Sequence, residues 1–375
     1  AERAVRQLRT DSDLPGIARL LLRSEAIASS QIEGIAPSAR NVALAELTTD
    51  EPVPRISNQA RLVANNMTMV REATSRLVTA DRVSVEDIAQ LHSCLLRDQP
   101  HLHGIRRVQN WIGGSARSPI GAQFVPPSPA EVPGLLEDLV NYLNGASHSP
   151  IVQAALVHAQ FETIHPYSDG NGRVGRALIH TVLTRRGLTS DAILPVSLIL
   201  ATFRGRYVSA LNAYRHRDAP GATAAAYQQW IEVFAQTVQR SAELAAGLSR
   251  DLRQLKRAWA KRLEQHRQSR GHVRGLRSDS AVASILAGLP ATPVLTPGTA
   301  GQIHGVSGTA ALKALDELAA AGILSTTRLS QRRCAYIADE ILDLVTLNER
   351  QLASTRFDTR LSKPNRPVPA RPDRK

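Results

Sequence analysis

The run His165-Pro166-Tyr167-Ser168-Asp169-Gly170-Asn171-Gly172-Arg173-Val174-Gly175-Arg176 lies between two apolar segments, Ile151 to Ile164 before it and Ala177 to Leu183 after it. Both flanking segments read as buried helices. Pro166 and the cluster Asp169-Gly170-Asn171-Gly172 favour a tight loop over a continued helix, so the second helix starts near Gly172. Around this helix–loop–helix the composition points the same way. Residues are 43% hydrophobic and only 4% aromatic, and Ala and Leu carry the packing, which favours an all-α fold.

The loop is also a site. Glycines let backbone N–H groups approach an anion, and the N-terminus of the following helix adds partial positive charge, which makes a phosphate cradle. Arg173 and Arg176 are one helical turn apart and share a face, where guanidinium forks suit phosphate oxygens. Asp169 is a hard oxygen ligand suited to Mg²⁺ shared with nucleotide phosphates. His165, at the loop entrance, can accept a proton from an incoming hydroxyl. Together these residues point to phosphoryl or nucleotidyl transfer from a Mg²⁺-nucleotide to a hydroxyl.

The run closely resembles the Fic (filamentation) family signature H-P-F-x-D-G-N-G-R-x-G-R, with Tyr167 in place of Phe as the one departure. In the family that position is a buried anchor, so Tyr167 is expected to pack if its hydroxyl finds a partner. The resemblance implies a helical core that transfers AMP from ATP to a protein Ser, Thr or Tyr hydroxyl. It makes His165 the general base and Asp169 the Mg²⁺ ligand. It makes Gly170, Asn171 and Gly172 the anion hole, with Arg173, Gly175 and Arg176 completing the nucleotide site. A second family pattern, [S/T]-x-x-x-E-[G/N], is matched by Ser29, Glu33 and Gly34 near the end of a helix that starts at Asp13-Leu14-Pro15. In the family this Glu pairs with the second signature Arg, here Arg176, and keeps the ATP γ-phosphate from seating. A carboxylate there competes with phosphate for one guanidinium. The resemblance therefore implies an autoinhibited enzyme.

The remaining chain divides into segments with distinct rhythms. Residues 1–80 form the N-terminal helical region, with a short helix and then a longer one at about 56–77. Residues 81–249 form the catalytic core. It opens with a capping box, Ser84 to Asp87. Residues 108–112 and 123–127 are short β-prone runs around a Gly/Ser/Pro-rich loop and read as a hairpin. The hairpin resembles the family's flap, whose edge can capture an extended target segment, with Gln123 and Phe124 as candidate nucleotide contacts. A helix is expected at about 197–215. Tyr207 and Leu211 on it resemble part of a family Tyr-Tyr-x-x-Leu pattern, which makes Tyr207 a candidate adenine contact although Val208 replaces the second Tyr. His158 reads as a packed histidine.

A helix carrying Trp230 and Phe234 is expected to run to about 262. The net charge of +13 is concentrated in residues 250–277, which carry +8, and 356–375, which carry +5. Residues 250–277 read as a basic helix end and linker, and 355–375 as a disordered basic tail. Residues 278–354 show the rhythm of a winged helix-turn-helix domain, with helices at about 281–289, 299–303 and 308–321 and a basic wing. Its third helix has Lys313 as its one base, which suits protein contact or weak DNA binding better than base readout.

Cys94 and Cys334 are far apart and form no disulfide or metal framework, which suits a reducing cytoplasm. No apolar run reaches membrane-spanning length. The expected cofactors are ATP and Mg²⁺. The expected partners are a target protein on the flap, DNA or a protein on the winged helix, and a second copy of the chain. The competing functions are a nucleotide-sensing DNA-binding regulator, a Fic enzyme transferring another group, and an enzyme that removes AMP.

Overall fold

Helices α7 (Pro150–Ile164) and α8 (Asn171–Arg185) pack against each other at the centre of the molecule. In α8 every residue from Asn171 to Leu183 is buried, so this helix is surrounded rather than amphipathic. The computed structural model describes residues 1–8, 14–47, 56–115, 118–145, 147–189, 193–215, 220–271, 275–330 and 333–346.

The elements around this pair follow from the chain. In the N-terminal region, α1 (Glu2–Leu8), α2 (Leu14–Ile32), α3 (Ala39–Leu47) and α4 (Asn58–Thr79) come first. Ser57 caps α4. α4 packs on α8, on α2 and on α5 (Val85–Leu95), whose start is the expected Ser84/Asp87 capping box. α6 (Val132–Gly145) then covers α7. After the loop helices come α9 (Val196–Thr202), α10 (Arg204–Arg215) and α11 (Pro220–Ser269). The single helix expected at 197–215 is broken at Phe203, which caps α9 outside helical geometry.

In the basic segment 250–277 the helix expected to end near 262 runs on to Ser269, so α11 is 50 residues long and carries Leu252, Trp259 and Leu263 into the interior. The expected end falls short of its last turns because bases at the surface mask a sparse apolar stripe.

The C-terminal unit has α12 (Ala281–Gly288), β1 (Val294–Leu295), α13 (Pro297–His304), α14 (Gly308–Ala320), β2 (Ser325–Ser330) and β3 (Arg333–Ile337). Its strands pair antiparallel in the order β1-β3-β2. Strand β1 was not foreseen; α12, α13 and α14 lie near the expected helices at 281–289, 299–303 and 308–321.

Two seams join this unit to the rest. On α11, Trp259 Nε1 donates to Glu340 at 2.7 Å, Arg262 pairs with Glu340 and Arg267 with Glu317, both at 2.6 Å. On α3, Ala43 and Leu47 form a small core with Val294, Ala335, Ile337 and Leu342. Arg40 reinforces it through Asp339 and Thr327.

Between α5 and α6 the expected hairpin is reduced to two bridges, Ile112 with Phe124 and Ser115 with Ser118. Among the described residues no helix is long and apolar enough to cross a membrane. The segment 355–375, expected to be a tail, lies outside the described residues, as does Asp13.

Candidate active site

The loop between α7 and α8 is held by its own side chains. Asn171 Oδ1 accepts the Tyr167 amide at 2.9 Å, and its Nδ2 donates to the Tyr167 carbonyl at 2.8 Å. His92 on α5 donates from Nε2 to the Asp169 carbonyl at 3.0 Å and stacks on Tyr167, with ring centroids 3.8 Å apart. Gly170 takes a positive φ of 82°, and a Cβ there would press on Leu95 at 3.0 Å. α8 then starts with no side-chain cap, so its first backbone N–H groups have no acceptor within the helix.

His165 ends α7 in the left-handed conformation, at φ 48°, the one non-glycine residue with positive φ among those described. Such a geometry costs about 1–2 kcal/mol for an L residue and persists where surroundings impose it. Here Arg106 imposes it. Its Nε donates to the His165 carbonyl at 2.9 Å, its backbone amide to the Pro166 carbonyl at 2.9 Å, and its guanidinium reaches the Pro127 carbonyl. Burial, with the charges of Arg215 and Arg106 nearby, pushes the imidazole down to about 4. The side chain is therefore a neutral base at pH 7.

Arg173 is buried and spends only Nη2, on Asp169 at 3.2 Å. Its Nε and Nη1 are buried donors with no protein partner, and such donors can serve an anion. Asp169 keeps half of its side-chain surface exposed at the rim. Among the described residues no group of three or more His, Cys, Asp or Glu could hold a metal ion alone. A single exposed carboxylate beside an anion cradle fits a cation that is mostly held by phosphates and water.

Arg176 is fully enclosed. Its Nε donates to Ser29 Oγ at 2.9 Å, and Nη2 to the Ser29 carbonyl and to Glu33 Oε1, each at 2.8 Å. Glu33 follows the last residue of α2, and Gly34 turns the chain away at φ 82°. The carboxylate lies directly on the head of α8: a Cβ on Gly172 would fall 2.1 Å from Glu33 Oε1. Burial works to raise the Glu33 carboxyl. The charge and hydrogen bond of Arg176, with Arg173 and His165, outweigh it and hold the group below the usual carboxylate range. Deeper along α2, buried Glu25 accepts His180 Nε2 at 2.8 Å, Ser197 Oγ at 2.5 Å and the Ser197 amide at 2.7 Å, which ties α2 to α8 and α9.

The sequence-selected residues thus separate into groups. His165, Asp169, Gly170, Gly172, Arg173, Arg176, Ser29, Glu33 and Gly34 converge on one mouth. Asn171 uses its side chain to close the loop. Gly175 and Tyr207, also candidate nucleotide contacts, have partners within the protein. A Cβ on Gly175 would meet Glu162, Phe161 and His158, so its smallness serves the close approach of α7 and α8. Tyr207 is buried, with its hydroxyl 2.9 Å from His158 Nε2 and its ring near Trp230. Gln123 is exposed on the flap beside Gly113, while Phe124 lies under the Arg215 guanidinium, 4.6 Å from the ring centroid. Tyr167 is fully buried, yet its hydroxyl finds no partner. Arg106 and Arg215 were missed, because they belong to no motif and reach the site from loops and helix ends remote in sequence.

Comparison with known proteins agrees with this geometry. Residues 82–183 match the model of the Fic/DOC family. That segment is the part of this chain similar to Fic proteins. Over 95 residues the chain is 42% identical to a probable protein adenylyltransferase of Aquifex aeolicus, covering 24% of this chain and 27% of that protein. Over 140 residues it is 32% identical to the protein adenylyltransferase fic-1 of Caenorhabditis elegans, covering 36% of this chain and 26% of the relative. The shared segment is thus a small part of each curated relative. A Fic family protein from Desulfovibrio desulfuricans superposes over 89% of this chain and 94% of its own, with a TM-score of 0.52 and 18% identity. A Fic domain containing signaling protein from Bacteroides thetaiotaomicron covers 66% of this chain and 95% of its own, with a TM-score of 0.52 and 19% identity. At these identities the structural likeness speaks for the Fic fold.

Proposed function

We propose that the Fic domain transfers AMP from Mg²⁺-ATP to a Ser, Thr or Tyr hydroxyl of a protein, and that Glu33 holds this activity in check. One observation carries the reading: Glu33 occupies, with its carboxylate, the same cradle of Gly172 and Arg176 that a nucleotide phosphate needs. Around it, the uncapped start of α8 and the partnerless donors of Arg173 suit an anion. In the transfer, the target oxygen bonds to the α-phosphorus, the α–β phosphoanhydride bond breaks and pyrophosphate leaves. The neutral imidazole of His165 takes the hydroxyl proton. Asp169 would hold Mg²⁺, which when bound neutralises phosphate charge. The curated relatives named protein adenylyltransferases support the same activity.

The test uses α-³²P-labelled ATP with the wild-type chain, Glu33→Gly, and Glu33→Gly with His165→Ala. Weak, strong and no protein labelling are expected, respectively. Label arriving from the γ position instead would overturn AMP transfer. For the C-terminal unit we propose a winged helix that contacts protein. On α14 the exposed face offers Leu312 beside Lys313, and Glu317 is already paired with Arg267. A salt series of DNA binding by the full chain tests it, and tight, sequence-selective binding would overturn it.

A further inference from the structure

Arg215, the last residue of α10, joins three parts of the site: the flap, the end of α7 and its own helix. Its guanidinium carbon sits 4.6 Å over the ring of Phe124 on the flap. Nη2 donates to the Glu162 carbonyl at 3.0 Å, in the last turn of the helix that ends at His165. Nη1 reaches Asn212 Oδ1 on its own helix at 3.4 Å. Nε is buried without a partner. The flap is also held at its base, where Arg106 reaches the Pro127 carbonyl, Gln109 the Pro126 carbonyl and Asn110 the Tyr167 carbonyl; further out its two bridges are isolated, and Val108, Ile120 and Val125 around it are exposed.

We propose that Arg215 is a positioning residue for the transfer step, pinning the flap through Phe124 to the base-bearing end of α7 and so fixing where a target hydroxyl can lie. The inference rests on the AMP-transfer reading for its consequence, while the pinning itself is a property of the fold. A cation–π contact over a half-buried ring is worth about 0.5–2 kcal/mol. That suffices to bias a short hairpin whose own hydrogen bonds number very few. The Glu162 carbonyl gives the guanidinium a fixed point, because α7 is packed along its length in the core.

The same cation faces His165. The charged groups around that imidazole are Arg215 from α10, Arg106 from the segment leading to the flap and Glu33 from the end of α2, while Glu162 of its own helix meets it through the backbone. Burial is the first cause of the imidazole's lowered value, and Arg215 is the largest of the charges. Removing that charge moves the imidazole back toward its ordinary value of about 6.5. Flap position and base protonation therefore depend on one residue.

The experiment compares Arg215→Ala, Arg215→Lys and Phe124→Leu in the Glu33→Gly background, using the full chain. Amide exchange at Ile112 and Phe124 reports the flap, and carbon-13 NMR titration of His165 reports the base; neither needs turnover. Labelling from α-³²P-ATP against pH reports the reaction. For Arg215→Ala, flap exchange is expected to rise by roughly 3- to 30-fold, the span of the lost contact. Its His165 midpoint is expected to shift upward, with the acid limb of labelling shifting alike. Arg215→Lys keeps the charge and is expected to hold the midpoint, while losing part of the flap protection because an ammonium lacks the planar fork. Phe124→Leu is expected to loosen the flap and leave the midpoint in place. Unchanged flap exchange in both Arg215→Ala and Phe124→Leu would overturn the proposal. If Arg215→Ala does not fold, Phe124→Leu and Arg215→Lys decide it alone. Flap exchange that responds while Glu33→Gly itself labels nothing would overturn AMP transfer and leave the pinning intact.

Discussion

Replacing Glu33 by glycine isolates the competition at Arg176. The carboxylate makes one 2.8 Å hydrogen bond to a buried guanidinium. A hydrogen bond of this kind to a charged group is worth about 1.5–3 kcal/mol. Glu33 keeps 36% of its side-chain surface exposed, so solvent screening favours the lower part of that range. Taking about 1.5–2 kcal/mol, removal should raise productive nucleotide seating, and with it the labelling rate, roughly 10- to 30-fold. Arg176 would not be left unsupported, since Ser29 still accepts from Nε and from Nη2. Glu33→Gln keeps the shape and loses the charge, and it should fall between wild type and glycine. The assay is the initial rate of protein labelling from α-³²P-ATP at a fixed subsaturating concentration. Equal rates in all three proteins would refute the argument. The effect should also follow pH in a defined direction. The Glu33 value is lowered in the folded chain, so the pairing is fully present above the ordinary carboxylate range. It is lost as pH falls through the lowered value. Wild-type restraint should therefore persist across neutral pH and fade only in strong acid.

Other outcomes follow from buried groups. Tyr167→Phe removes a buried hydroxyl that has no partner and should stabilise the chain by about 1 kcal/mol, read as a rise of about 2–4 °C in Tm; a fall in Tm would contradict the reading. Glu25→Ala strands His180 and both donors of Ser197 inside the core and should cost about 3–5 kcal/mol in denaturant unfolding. A loss under about 1 kcal/mol would show that this network is not a tie. Acid should weaken the fold. His92 and His158 are buried and lowered by burial to about 4 and about 3, so below about 6.5 the unfolded chain binds more protons and each can cost up to about 1.4 kcal/mol per pH unit. Burial raises Glu162 to about 7, and between that value and the ordinary carboxylate range it opposes one histidine. Tm should thus decline modestly from pH 6.5 to about 4.5 and steeply below; a flat profile to pH 4 would contradict these assignments.

The catalytic loop was legible because its chemistry is local: base, carboxylate, glycines and arginines all fall within one short run. Glu33 was legible only through family resemblance, since its partner lies far away in sequence and periodicity carries no trace of the pair. Arg106, Arg215 and the Glu25–His180–Ser197 tie were invisible for the same physical reason. Their partners are carbonyls, a ring face and buried side chains on other helices. The packing partners of Gly175 and Tyr207 were not legible either, because motif membership does not reveal which way a residue faces. The length of α11 was hidden by its bases, whose heads stay at the surface while Trp259 and Leu263 go inward.

The anchoring of α2 ranks the ways in which the restraint can be lifted. Arg23 is enclosed between Glu46 on α3 and the Ala291 carbonyl of the C-terminal unit, and Glu25 is locked to α8 and α9. Withdrawing the helix means breaking both sets of bonds and uncovering the apolar faces of α4 and α9 that pack on it. Swinging the Glu33 side chain means breaking one bond, beyond the helix end and beside a glycine turn. The proposed restraint would therefore behave as a latch on a fixed doorframe. A competing cation offered to a single carboxylate would open it, and the frame would stay ready to close again.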